Sequence, residues 1–227
     1  MNGALTLPGA LTNIRDDLSD TDDSQQRWSD DQLTRALNRA LDRYSRVSPL
    51  LSVQQIPTVA GARLYPVPAP PPGSTWWIER VEYPSGLWPR QFRTFDERPD
   101  AQFEIQLDDG LLPADDGQTI ELTLAARHLL DAAGTSVPEW DWDCVFTGAE
   151  AHALEAYLVS VNDNFDFVDG QFRDRVDDSK APPNWRAQAA DLMSRFEARL
   201  AEIKLRAETR IVATTQWGDK PYRWDRL

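Results

Sequence analysis

The spacing of the apolar residues changes twice along the chain, and this change constrains the fold more than any other feature. Leu33, Ala36, Leu37, Ala40, Leu41, Tyr44 and Val47 recur at intervals of three and four, which places them on one face of an α-helix. Leu11, Ile14 and Leu18 repeat that spacing in a shorter segment upstream, with Thr12 and Asn13 as candidate caps. Trp185, Ala189, Leu192, Phe196, Leu200, Ile203 and Ala207 form a third helical stripe near the other end. Between them the period drops to two. Phe103, Ile105 and Leu107 alternate with Gln102, Glu104 and Gln106, and Ile120, Leu122 and Leu124 alternate likewise. Period two marks strands with one buried and one solvated face, as in an antiparallel sheet.

Local signals punctuate these blocks. Ser29 and Gln32 have the spacing of a capping box, and Asp30 and Asp31 suit the positive end of the helix dipole. Pro49 stops that helix. Further strands are expected at Val53–Thr58, Arg63–Val67, Trp76–Tyr83 and Gln118–Leu124. The breaks carry turn residues: Pro70-Pro71-Pro72-Gly73, Pro84-Ser85-Gly86, Asp108-Asp109-Gly110 and Asp115-Asp116-Gly117. After Pro138 a helix is expected from Asp141 or Asp143, with Thr147 and Glu150 as a second capping box. Gly148, Ala149, Ala151, Ala153 and Ala156 would let another helix approach closely. Pro182-Pro183 precedes the last helix, and Val212 to Leu227 has no period.

The expected fold is therefore α+β. Residues 1–52 and 128–212 form an antiparallel-like helical bundle from both chain ends. Residues 53–127 form an inserted small antiparallel β-sandwich or barrel, and residues 213–227 an extended C-terminal docking tail.

Charge narrows the function classes. The chain carries a net −13, with 21 acidic and 5 basic residues in 96–183 and 6 acidic and 9 basic in 184–227. A general nucleic-acid binder needs a basic stripe to neutralise phosphates. No apolar run approaches the ~18 residues that span a bilayer, and the N-terminal segment lacks the basic region of a signal peptide. Cys144 is the only cysteine, so an internal disulfide is excluded. Together these features lead to an expectation of synthesis in a cytoplasm.

A search for chemistry finds little. His128 and His152 have no partner at metal-ligand spacing. His152 follows Cys144 by eight residues, about 12 Å along a helix, too far for a nucleophile–base pair. Asp20-Thr21-Asp22-Asp23-Ser24 matches the first half of a calcium loop, but Gln25 stands where the glycine is needed. No glycine-rich loop precedes a helix. The expectation is no enzyme, no cofactor and no metal. The nine tryptophans exceed what a core of this size absorbs, which favours subunit contacts. An alternative of another class is a carbohydrate- or ligand-binding module stacking sugars on Trp76, Trp77 and Trp88.

Two segments carry a family resemblance. Ile14-Arg15-Asp16-Asp17-Leu18, then Trp28-Ser29-Asp30, then Leu33, Ala36-Leu37-Asn38, Ala40-Leu41, Tyr44 and Pro49, resemble the start of head-to-tail connector, or adaptor, proteins of tailed bacteriophages. Thr147-Gly148-Ala149-Glu150-Ala151 and Asn184-Trp185 with Phe196-Glu197 and Leu200 are similar to later parts of the same family. The resemblance covers about half of the chain, at both ends, and not the sheet block. It implies a structural virion protein of the neck, assembled in the host cytoplasm, and a homo-oligomeric ring, twelvefold. The portal protein would lie above and a stopper or tail-completion protein below. DNA would pass through without specific binding, and no membrane would be involved. Another neck or tail-completion ring protein is the nearest alternative.

The segment after the last helix holds Trp217, Tyr222 and Trp224 with Lys220, Arg223 and Arg226. Disordered tails are poor in large rings, so these residues are expected to dock on the portal or a neighbouring subunit.

Overall fold

The structure is a computed structural model that describes residues 5–22, 24, 26–67, 75–98, 102–107, 118–162 and 181–215. The protein is mixed α+β, with four α-helices and an antiparallel sheet among these residues. They fall into two compact units, one drawn from Met1–Ser48 and His128–Lys204, the other from Pro49–Arg127 and Leu205–Leu227. No helix of the described residues is long and apolar enough to cross a membrane.

The first unit holds α1 (Leu7–Asp17), α2 (Asp30–Val47), α3 (Trp142–Asn162) and most of α4 (Ala181–Thr215). The cap of α1 differs from the expectation. Thr6 accepts from the Gly9 N–H and Pro8 lies in the first turn, while Thr12 sits inside the helix and donates to the Pro8 carbonyl. Proline there fixes φ without losing a needed donor, so the start lies six residues upstream of Thr12. Helix α2 begins as expected: Ser29 Oγ accepts from Gln32 N, and Gln32 Oε1 accepts from Ser29 N. The proposed box at Thr147 and Glu150 is not a helix start. Helix α3 begins at Trp142 after a 3-10 turn at Glu139–Asp141, and the Thr147 hydroxyl donates back to the Asp143 carbonyl. Pro182 and Pro183 occupy the first turn of α4, and that helix runs to Thr215, three residues into the expected tail.

One hydrophobic cluster includes Ile14 of α1, Leu33, Leu37 and Tyr44 of α2, Val145 and Leu154 of α3, and Phe196 and Leu200 of α4. Gly148 marks the tightest approach. A Cβ there would lie 2.8 Å from Phe196 Cε2 and 3.0 Å from the Ala40 Cβ.

The second unit is a six-stranded antiparallel sheet: β1 (Leu50–Pro57), β2 (Leu64–Pro66), β3 (Trp76–Glu82), β4 (Phe92–Arg98), β5 (Gln102–Gln106) and β6 (Thr119–Ala126). Their order is β1-β6-β3-β4-β5-β2. A flat sheet of six strands would separate its edges by about 24 Å. Yet β1 and β2, the two edges, are joined by residues 58–63, which include a turn closed by Ala62 N–H to Val59 O. The sheet must curl to bring them together. Ile56 of β1 and Tyr65 of β2 accordingly share one core with Phe103, Ile105, Ile120 and Leu122. Of the expected sandwich or barrel, the structure has one curled, open antiparallel sheet, a half-barrel. A register shift between Ile78 and Arg80 explains why β3 lacks clean alternation, because Ile78 and Val81 both face the core. Strand β4, Phe-Arg-Thr-Phe-Asp-Glu-Arg, gave no expectation because its polar residues fall on both faces.

Gly148→Ala tests the crossing of α2, α3 and α4. Alanine favours helix by about 1 kcal/mol over glycine, yet overpacking against the buried Phe196 ring costs about 1–3 kcal/mol. The variant should be destabilised in urea unfolding, and Phe196→Leu in the same chain should recover part of the loss.

Candidate functional site

Most polar groups that could carry chemistry in the first unit are spent on its own structure. Asp20, a first ligand of the supposed calcium loop, is 4% exposed. Its Oδ2 accepts from Arg15 Nη1 at 2.8 Å and its Oδ1 from Arg27 N at 2.8 Å. Arg15 also donates to the Trp28 carbonyl and to Asp30 Oδ1. An arginine thus takes the place a cation would need. Asp22 Oδ1 closes its own turn by accepting from Ser24 N and Oγ. No group of three or more His, Cys, Asp or Glu that could hold a metal occurs among the described residues.

His128 is buried, with Nε2 2.9 Å from the Ser48 carbonyl and Nδ1 3.0 Å from Ser136 Oγ. A carbonyl can only accept, so Nε2 carries the proton. Burial pushes the pKa of the ring down and keeps it neutral. Tyr44 stands against this ring and donates to Asp141 Oδ2 at 3.0 Å. Burial, reinforced by Asp141, pushes the Tyr44 hydroxyl up to about 12. The Cys144 thiol is pushed up to about 12 for the same reasons, burial first and Asp141 second. A thiol held protonated in this way is a poor nucleophile.

Trp28 is the signature residue with the largest structural role. It is 2% exposed, and its Nε1 donates to the Ala153 carbonyl at 3.1 Å. Its ring lies 5.5 Å from Tyr157 and 6.3 Å from Trp185, with Arg27 over the Trp185 face. It reaches both α3 and α4. Ser29 and Asp30 cap α2 and pair with Arg15, as described above.

A different surface carries chemical potential, and sequence reasoning missed it. Helix α2 presents Arg39, Asp42, Arg43 and Arg46 at spacings of three, one and three, and α4 presents Glu197, Leu200, Ala201 and Lys204 at similar ones. The two faces form the walls of an open groove of about 700 Å³, with Val47 and His152 completing the lining. Arg43 Nη2 spans it to Glu197 Oε1 at 2.6 Å. The lining has four cations against two carboxylates, in a chain of net charge −13. Arg39 and Arg46 are exposed and form no ion pair among the described residues. The arginine spacing at 35, 39, 43 and 46 was a visible signal. What it lacked was the second wall, which lies far away in sequence.

The other expected site residues are not brought together. Trp76 and Trp77 start β3, whereas Trp88, 73% exposed, follows its far end. Seven residues of strand put them about 20 Å apart, so they make no single stacking platform. Trp217, Lys220, Tyr222, Arg223, Trp224 and Arg226 lie outside the described residues. No known family's model matches the chain, and no curated protein matches it.

One carboxyl pair gives a pH test. Burial, then the charge and hydrogen bond of Asp17, push Glu150 from 4.5 up to about 7. The folded state therefore holds a proton that the unfolded chain releases near 4.5. The stability linked to it is present below that value and lost as pH rises through about 7. Between about pH 5 and pH 8, urea unfolding should show the native chain losing stability relative to Glu150→Gln, by about 1 kcal/mol once solvent screening of this partly exposed group is counted. Parallel profiles for the two proteins would contradict the pairing.

Proposed function

We propose that this chain is a structural subunit of the head-to-tail connector of a tailed bacteriophage, packed with its copies into a ring beneath the portal. The observation that carries this reading is the meeting of the two resembling segments in one core. Residues of Leu11–Pro49 and residues of 147–200 share a hydrophobic cluster, and Trp28 of the signature bonds across to Ala153. This supports a bundle built from both chain ends, with the sheet unit inserted in sequence between them. The use of Asp20, His128, Tyr44 and Asp141 in internal bonds also favours a building block over a catalyst.

In this reading the DNA passes through the ring without being gripped, and the acidic stretch 96–183 contributes to a negative inner wall. Like charge keeps a polyanion moving. The portal lies above and a stopper or tail-completion protein below. The C-terminal residues reach across that joint as an extended tail, with rings as anchors and arginines pairing with carboxylates. The neighbouring reading, another ring protein of the neck, differs only in which ring it touches.

Deleting residues 216–227 tests the proposal. The shortened chain should keep its helical circular dichroism but fail to attach to portal-bearing heads of the phage that encodes it. Attachment at full strength would remove the tail from the account, and failure of the full-length chain to attach would remove the connector reading itself.

A further inference from the structure

We propose that the cationic groove between α2 and α4 binds the aspartate-rich segment 163–178 of a second copy of this chain. The inference adds a named contact to the ring reading and rests on it only for the closure of the assembly into a ring.

Two observations carry it. The first is the shape of the charge. Arg39, Arg43 and Arg46 follow one another down α2 over about 10 Å, with Lys204 on the facing wall and Val47 and Leu200 supplying an apolar part. A row of cations beside apolar surface suits a polyanionic peptide carrying apolar side chains. Guanidinium groups pair with carboxylates in a fixed fork geometry.

The second is complementarity within the chain's own sequence. Residues 163–178 hold six aspartates against two arginines, with Asp163, Asp166 and Asp169 at every third position and Phe165 and Phe167 between them. The carboxylates match the arginines, and the phenyl rings match the apolar lining. In solution, copies with a net charge of −13 repel one another. A groove with four cations against two carboxylates is where that repulsion turns to attraction.

A charge swap decides the matter. One full-length variant carries R39E/R43E/R46E, and the other D163K/D166K/D169K. Sedimentation velocity at low salt should show the native chain associating and each variant alone as a monomer. An equimolar mixture should associate as the native chain does, because each groove then meets a segment of opposite charge. If the glutamate variant does not fold, a synthetic 163–178 peptide gives the same answer. It should dissociate the native assembly, while the peptide with asparagine for every aspartate should not. A native chain that stays monomeric, or a mixture that fails to associate, overturns the proposal. It also falls if the groove substitutions leave self-association intact while abolishing binding of a duplex DNA oligonucleotide, which would make this a nucleic-acid groove. Head attachment is a separate readout, so the connector reading can fail while the groove contact stands, and the reverse.

Discussion

The Trp28 indole is buried between α3 and α4, and the hydrogen bond from its N–H to Ala153 O joins positions 125 residues apart. Much of the helical unit is arranged to make that placement possible. Ser19 adopts a left-handed φ of 53° at the end of α1, which turns the chain so that Asp20 faces back. Asp20 then receives Arg15 and the N–H groups of Arg27 and Trp28, and Arg15 holds the Trp28 carbonyl. The loop between α1 and α2 is thereby fixed with its one large ring aimed inward. An ion pair with side chains only 11% and 3% exposed is weak evidence for net stability. Its clearer effect is to specify one loop conformation, and with it the direction from which α2 enters the core.

The same economy governs the charges. Most buried polar groups of the helical unit answer one another: His128 with Ser48 and Ser136, Tyr44 with Asp141 Oδ2, Asp20 with Arg15, while Asp141 Oδ1 is buried without a hydrogen-bond partner. The remaining charge is sorted by sign along the chain. Arginines line one side of α2, while the long stretch 96–183 is strongly acidic. Surface pairs such as Arg43–Glu197 contribute little to folding. Sorted charge of this kind acts instead on association, where it sets which faces attract and at what rate.

Much of the fold was legible where the information is local. The Ser29–Gln32 box, the apolar face of α2 and the alternation in β5 and β6 each follow from neighbouring residues. The errors have physical causes. Thr12 and Asn13 looked like caps, but Thr6 followed by Pro8 made the better start. Thr147 bonds back to its own helix, a use of threonine that mimics a cap in sequence. In β3 a bulge hides the period, and in β4 polar residues on both faces remove it. The closing of the sheet edges through residues 58–63 was not readable, because strand order is a long-range property. For the site, the gap is larger. Trp28 could be singled out by its motif, but not its partners on α3 and α4. The groove needs two helices more than 150 positions apart, and neither wall is distinctive alone.

The account stands on Trp28 as the point where both ends of the chain are joined, and the unfolding free energy of Trp28→Ala tests this most directly. Truncating a buried tryptophan in a core costs about 3–5 kcal/mol. Urea unfolding followed by helical circular dichroism should show a loss of that size. A loss below about 1 kcal/mol, the range of an exposed surface change, would contradict the account.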